Sequence, residues 1–191
     1  MLPTAFTPPA HSFAFRDFEL VFLSMGYSPT ATTSLTGGTF FPISGSFGVL
    51  SLGVKQQVYN ADGTAIALTG GTVLPLESDF ETVFHGGAVV SHRFAAGGHD
   101  DAFGLHAAAG YVWNEDGGEG LLGFGAEARL GGRAKFIAEF ISAQENSLDG
   151  AINLGISLHG ERLSADIVGV RPLETDGDFL FFPLVIVNYR F

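Results

Sequence analysis

The residues that could do chemistry in this chain are its charged side chains, and in the second half they share one alternating phase. Glu127, Arg129, Arg133, Lys135, Glu139, Arg162, Asp166 and Arg190 fall on it, and the opposite phase is Leu, Ile, Val, Ala and Phe. Ionisable groups of both signs on neighbouring strands can pair into a polar network that fills an interior, because unpaired charge away from water is costly. They can also line a narrow pore. The histidines His85, His106 and His159 share the polar phase with them, whereas His92 falls in phase with Phe84, Ala88, Val90 and Phe94. No close pair spacing converges histidines on a metal, so no metal site and no cofactor are expected. His99-Asp100-Asp101 has the residue types of an acid/base cluster, but its place between two strands reads as a solvated turn.

Nucleophilic chemistry finds little support. A serine nucleophile needs a histidine within hydrogen-bond reach. Ser91 and His92 are adjacent and face opposite sides of a strand. Ser157 and His159 share a face, but strand rise puts them about 6–7 Å apart, too far unless the side chains lean. Gly37-Gly38, Gly70-Gly71 and Gly86-Gly87 lack the strand–loop–helix context and the lysine of a phosphate loop. The acidic clusters Glu77/Asp79/Glu81, Glu115/Asp116/Glu119 and Glu174/Asp176/Asp178 could hold divalent cations loosely, and read more simply as solvated loops. No catalytic residue is assigned, and the chain is not expected to be an enzyme.

The elements that must position the charged phase are strands. Hydrophobic residues make up 46% of the 191 residues and charged residues 15%, below the roughly 25% usual for soluble domains. Mean hydropathy is +0.30. The apolar content is nevertheless not gathered into a membrane helix, because Gly26, Pro29, Gly37, Gly38, Pro42 and Gly45 interrupt the long uncharged run over 20–54. It is spread in period-two pieces. Candidate strands cover 11–15, 17–27, 32–41, 47–59, 64–74, 82–95, 103–113, 122–130, 134–140, 152–158, 163–167 and 179–191. Residues 1–10 read as an irregular lead-in to one domain covering 1–191. The hairpin-after-hairpin rhythm predicts an all-β barrel or sandwich. The absence of cysteine excludes disulfides and thiolate metal sites, and a net charge of −11 argues against nucleic acid as a partner.

The connections alternate in kind. Those around 171–178, 144–150, 114–118 and 75–81 are mostly longer and acidic. Those at Gly160, Gly131-Gly132, 97–100, 60–63 and 28–30 are shorter. Membrane barrels pair long external loops with short periplasmic turns. Aromatic residues collect at both strand ends. Phe40, Phe41, Phe47, Phe84, Tyr111, Trp113, Phe179 and Phe181 map to the long-loop end, and Tyr27, Tyr59, Phe94, Phe103, Tyr189 and Phe191 to the short-turn end. Two such girdles suit interfacial anchoring. Sequence alone does not say which phase faces in. A lipocalin-like soluble barrel with an apolar ligand inside is therefore the alternative, and an outer-membrane lipid-modifying enzyme a third.

The final stretch FLFFPLVIVNYRF ends on an aromatic residue with another two places earlier, and resembles the insertion signal of bacterial outer-membrane β-barrels. The segments GAEARLGGRAKFIAE (125–139) and GERLSAD (160–166) look like strand pairs of uncharacterised outer-membrane β-barrel proteins of Gram-negative bacteria. The resemblance implies a fold and a location but no activity. Together these readings predict a closed antiparallel transmembrane barrel, an up-and-down meander of about 12 strands (alternatively 10), in the bacterial outer membrane. Its expected role is structural, or that of a narrow passive pore with a charged, largely filled lumen. Its expected partners are the lipid bilayer or detergent and, through the last strand, the barrel-assembly machinery; its oligomeric state is left open. Met1-Leu2-Pro3-Thr4 lacks the basic region and apolar core of a signal peptide. An exported protein would then be the mature form behind an added Met1.

Overall fold

The fold is taken from a computed structural model, which describes residues 4–18, 22–40, 48–76, 81–96, 99–143, 150–173 and 181–191. Twelve strands follow one another: β1 (Ser12–Phe18), β2 (Phe22–Ser28), β3 (Thr33–Phe40), β4 (Val49–Ala61), β5 (Thr64–Pro75), β6 (Val83–Ala96), β7 (His99–Trp113), β8 (Gly118–Gly131), β9 (Ala134–Ala143), β10 (Gly150–His159), β11 (Leu163–Pro172) and β12 (Phe182–Arg190). Each pairs antiparallel with the next, and β1 pairs with β12 from Ala14↔Arg190 to Phe18↔Ile186. The sheet is therefore a closed up-and-down barrel with no free edge. Its strand count is the larger of the two expected values.

Closure turns the period-two pattern into an inside and an outside. On β4, Leu50, Leu52, Val54 and Val58 are exposed, while Ser51, Gly53 and Lys55 are partly shielded and Gln57 is buried. Leu122, Phe124, Phe136, Leu154 and Ile156 are likewise exposed, at 37–56%. Phe140 and Ile152 are paired with each other in phase with them. Glu139, Asn153, Ser157 and Asp166 are buried on the opposite face. A soluble barrel has the reverse polarity, since burial of apolar surface is what stabilises it in water.

Hairpin chemistry fixes the register at the short-turn end. Asp62 and Gly63 both have positive φ, 51° and 75°, which is the two-residue turn whose twist matches its strands. Before it, the register shifts between Gln57 and Tyr59. Strict alternation from Leu52 would turn Tyr59 inward. The extra residue returns it to the outer face, where it is 47% exposed.

Two boundaries differ from the sequence reading. The stretch 17–27 reads as one strand, because Phe18, Leu20 and Phe22 alternate without a Gly, Pro or Asn to mark a break. It is instead the end of β1 and most of β2, whose register brings Phe18 opposite Phe22. The weak strand over 11–15 is the start of that same β1. Its closure with β12 supplies the pairing that local pattern does not show. The expected turn 97–100 also ends earlier, since His99 and Asp100 already belong to β7.

Candidate functional site

The interior is the place where polar chemistry converges, and two clusters occupy its wall. The first lies on β8–β10. Lys135 reaches diagonally across the hairpin to Glu127, with Nζ 3.1 Å from Oε1. Gly104 on β7 lies directly opposite Glu127, and a Cβ there would come within 2.8 Å of the Glu127 Cγ. The glycine thus leaves the room in which the carboxylate side chain folds back. Glu139 stands opposite Asn153 and accepts from its Nδ2 at 3.1 Å. Arg129 donates to the Gly132 carbonyl at 2.9 Å, so it also clasps the β8–β9 turn.

The second cluster crosses the seam where the barrel closes. Arg16 on β1 donates through Nε to Asn188 Oδ1 at 2.7 Å, and Asn188 donates through Nδ2 to Asp166 Oδ2 at 3.2 Å. Ser157 donates to the other Asp166 oxygen and lies 3.0 Å from His159 Nε2. Four strands are tied by this chain of hydrogen bonds. The sequence reading put Ser157 and His159 out of mutual reach. They meet because both side chains lean along the strand. The arrangement is still not that of an activated nucleophile, because the aspartate bonds the serine and not the histidine.

The residues expected in one charge network are thus distributed. Glu127, Arg129, Lys135, Glu139 and Asp166 lie on the inner phase. Arg133 and Arg162 sit in short turns and Arg190 at the end of β12, and all three are exposed at the short-turn rim. The reason is geometric: strand phase continues into a turn in the sequence, but at or beyond the last ladder pair a side chain is free to reach water.

The aromatic residues lie toward the two ends of the strands. Tyr111 and Trp113 are 50% and 41% exposed on the outer face at the long-loop end, and Trp113 stacks with Phe84 at 5.9 Å. Phe181 is half-buried there, and Phe179 lies outside the described residues. At the short-turn end Tyr189 and Phe191 meet edge to face at 4.7 Å, Phe13 stacks on Tyr27 at 4.4 Å, and Phe94 lies 5.6 Å from Phe103.

A third feature has no signal in the alternation. The described part of the lead-in, from Thr4 onward, is not a strand but a segment lodged inside the barrel. Ala5 is fully buried against Ala65, Ala67 and Val89, with Phe6 and Ala108 packed beside them. The four wall residues Ala65, Ala67, Val89 and Ala108 are inward-facing positions of β5, β6 and β7. Lys55, Gln57, Ser91 and Arg93 surround the segment, and of these only the polar phase of Lys55 and Gln57 is noticeable in the sequence. Among the described residues no group of three or more His, Asp or Glu is placed to hold a metal ion.

No family model matches the chain, and no curated protein matches it. Solved structures do. One match is a KdgM porin, with a TM-score of 0.71 and 7% identity over 93% of this chain and 96% of the porin. Another is the KdgM porin in complex with disordered oligogalacturonate, with a TM-score of 0.71 and 9% identity over 93% of this chain and 98% of that one. At such identities the likeness is one of fold.

Proposed function

We propose that the protein is an outer-membrane β-barrel of a Gram-negative bacterium that acts as a narrow passive pore with a charged, largely side-chain-filled lumen. One observation carries the reading: large apolar side chains cover the outside of a closed barrel, while Glu139, Asn153, Ser157 and Asp166 are buried inside and Lys135 pairs with Glu127 there. Hydrocarbon accepts such an outer face and water does not. The aromatic pairs at both ends suit the two interfaces of a bilayer, and the shared fold with a porin supports a pore over an enzyme.

In planar bilayers the unmodified barrel is expected to show low or no conductance, because the Lys135–Glu127 pair and its neighbours obstruct the lumen. Replacing Glu127, Arg129, Lys135 and Glu139 together by serine is expected to raise the conductance by removing both bulk and cross-links. A large steady current before any substitution would mean an open, water-filled lumen. A four-serine barrel as silent as its parent would show that these four side chains are not what closes the lumen.

The C-terminal strand is proposed to be read by the assembly machinery. Phe191 is 75% exposed, and its backbone N–H bonds the Phe13 carbonyl at 3.1 Å. So exposed a ring adds little packing. Deleting Phe191 is expected to lower outer-membrane assembly in cells severalfold while changing refolding in detergent little. Equal losses in both assays would reduce the residue to a packing role.

A further inference from the structure

The lodged N-terminal segment is bound in a particular way. Lys55 donates to two of its carbonyls, Thr4 at 3.2 Å and Phe6 at 2.7 Å. Gln57 donates to the carbonyl between them, Ala5, at 3.2 Å. The chain bends at Ala5, and one ammonium takes the carbonyls on either side of the bend while a second donor takes the one between them. The Ala5 N–H is also satisfied, by Ser91 Oγ at 2.8 Å. Ser91 in turn lies 2.8 Å from His106 Nδ1. Having accepted from Ala5, its hydroxyl is free to donate its own proton to the imidazole. Three successive carbonyls and one N–H are therefore recognised by side chains of the wall, without any strand pairing.

Side-chain recognition adds selectivity at two points. Ala5 is fully buried in a notch formed by Ala65, Ala67 and Val89, which suits a small apolar side chain. The guanidinium of Arg93 lies 3.6 Å from the centre of the Phe6 ring, a cation–π contact. Lys55 makes no ion pair among the described residues; its charge is met by peptide carbonyls. Were the segment to leave, an ammonium, an amide, a hydroxyl and a guanidinium would all face the lumen together.

We propose that this part of the lumen wall, Lys55, Gln57, Ser91 and Arg93 around the buried Ala5, is a binding site for a peptide main chain bent at a small residue, and that Thr4–Phe6 occupies it as a tethered, releasable plug that closes the passage from the short-turn end. The segment enters from that end, since His11, just before β1, bonds the Ser28 carbonyl at 2.6 Å where β2 finishes. The site lies on the β4–β7 wall, opposite the seam cluster, so plug and seam side chains together narrow the bore. The closing role rests on the pore reading above; the occupancy of the site does not.

The test follows occupancy and passage separately on the full chain. The chain has no cysteine, so a single thiol reports one position. Thr7→Cys is suited, because the Thr7 hydroxyl is buried and has no hydrogen-bond partner among the described residues. In folded barrels a membrane-impermeant maleimide is expected to modify Thr7→Cys at least about tenfold more slowly than Glu161→Cys in the exposed β10–β11 turn, because the seated thiol reacts only after local opening. Adding Lys55→Met should remove most of that protection and raise the conductance in the same preparation. Gln57→Leu is the second variant, in case Lys55→Met does not fold. A Thr7→Cys thiol as reactive as Glu161→Cys would overturn the plug. Protection that persists in both wall variants would overturn the site. Release without a rise in current, beside a conducting four-serine barrel, would overturn the closing role alone. Silence of every variant would overturn the pore reading and the closing role with it.

Discussion

Leu154→Arg is expected to destabilise the barrel in lipid vesicles by about 2–4 kcal/mol, whereas Leu130→Arg should cost only about 0–1 kcal/mol. Both leucines are on the outer face, at 38% and 62% exposure. Leu154 lies halfway along β10, between Ala138 and Gly169 on its neighbours. Leu130 lies one residue from the β8–β9 turn. In hydrocarbon the guanidinium of the first must drag water with it or bend toward an interface, and the second is already at one. Urea titration of both variants folded into vesicles reads the difference. Equal, small losses at the two positions would mean that the outer face meets water and not lipid, which is the behaviour of the soluble barrel.

Gly87→Ala should destabilise the barrel by about 1–3 kcal/mol, the usual range for overpacking, while Gly86→Ala should be neutral within about 0.5 kcal/mol. The two glycines are neighbours on β6 and face opposite sides. A Cβ on Gly87 would stand 2.5 Å from the Ala109 carbonyl oxygen and 2.8 Å from the Gly110 Cα. Both are backbone atoms of the paired strand and have no rotamer by which to move aside. A Cβ on Gly86 meets Trp113 at 3.7 Å, an ordinary contact. Gly87 and Gly110 are paired on the inner face, where neither brings a side chain between the two backbones. The same titration reads this pair, and a Gly87→Ala barrel as stable as the Gly86→Ala one would show that the wall there yields.

Much of the fold is legible in the chain because strand structure writes a local signature. The alternation of apolar positions with polar or small ones is visible within a few residues: Ile152, Leu154 and Ile156 against Asn153, Gly155 and Ser157 require no knowledge of the rest. The Asp62-Gly63 turn is equally local, since positive φ at two successive residues selects those types. From such pieces the meander, the separation of charged and apolar phases and the two aromatic ends can be read directly.

The tertiary structure decided what depends on closure. Alternation defines two faces but gives neither a sign; pairing β1 with β12 makes one concave and shielded, and the charged phase is found there. The β1–β2 hairpin escapes notice because 17–27 keeps its period through the connection. The interior contacts join residues far apart in sequence: Arg16 and Asn188 are 172 positions apart, and Ala5 and Ser91 are 86 apart. The lodged segment is the extreme case. Residues 4–7 carry no period, and two prolines follow, so by pattern they are only a lead-in. Their place is fixed by a lysine, a glutamine, a serine and an arginine that face one another only after β4, β5 and β6 have been bent into one wall.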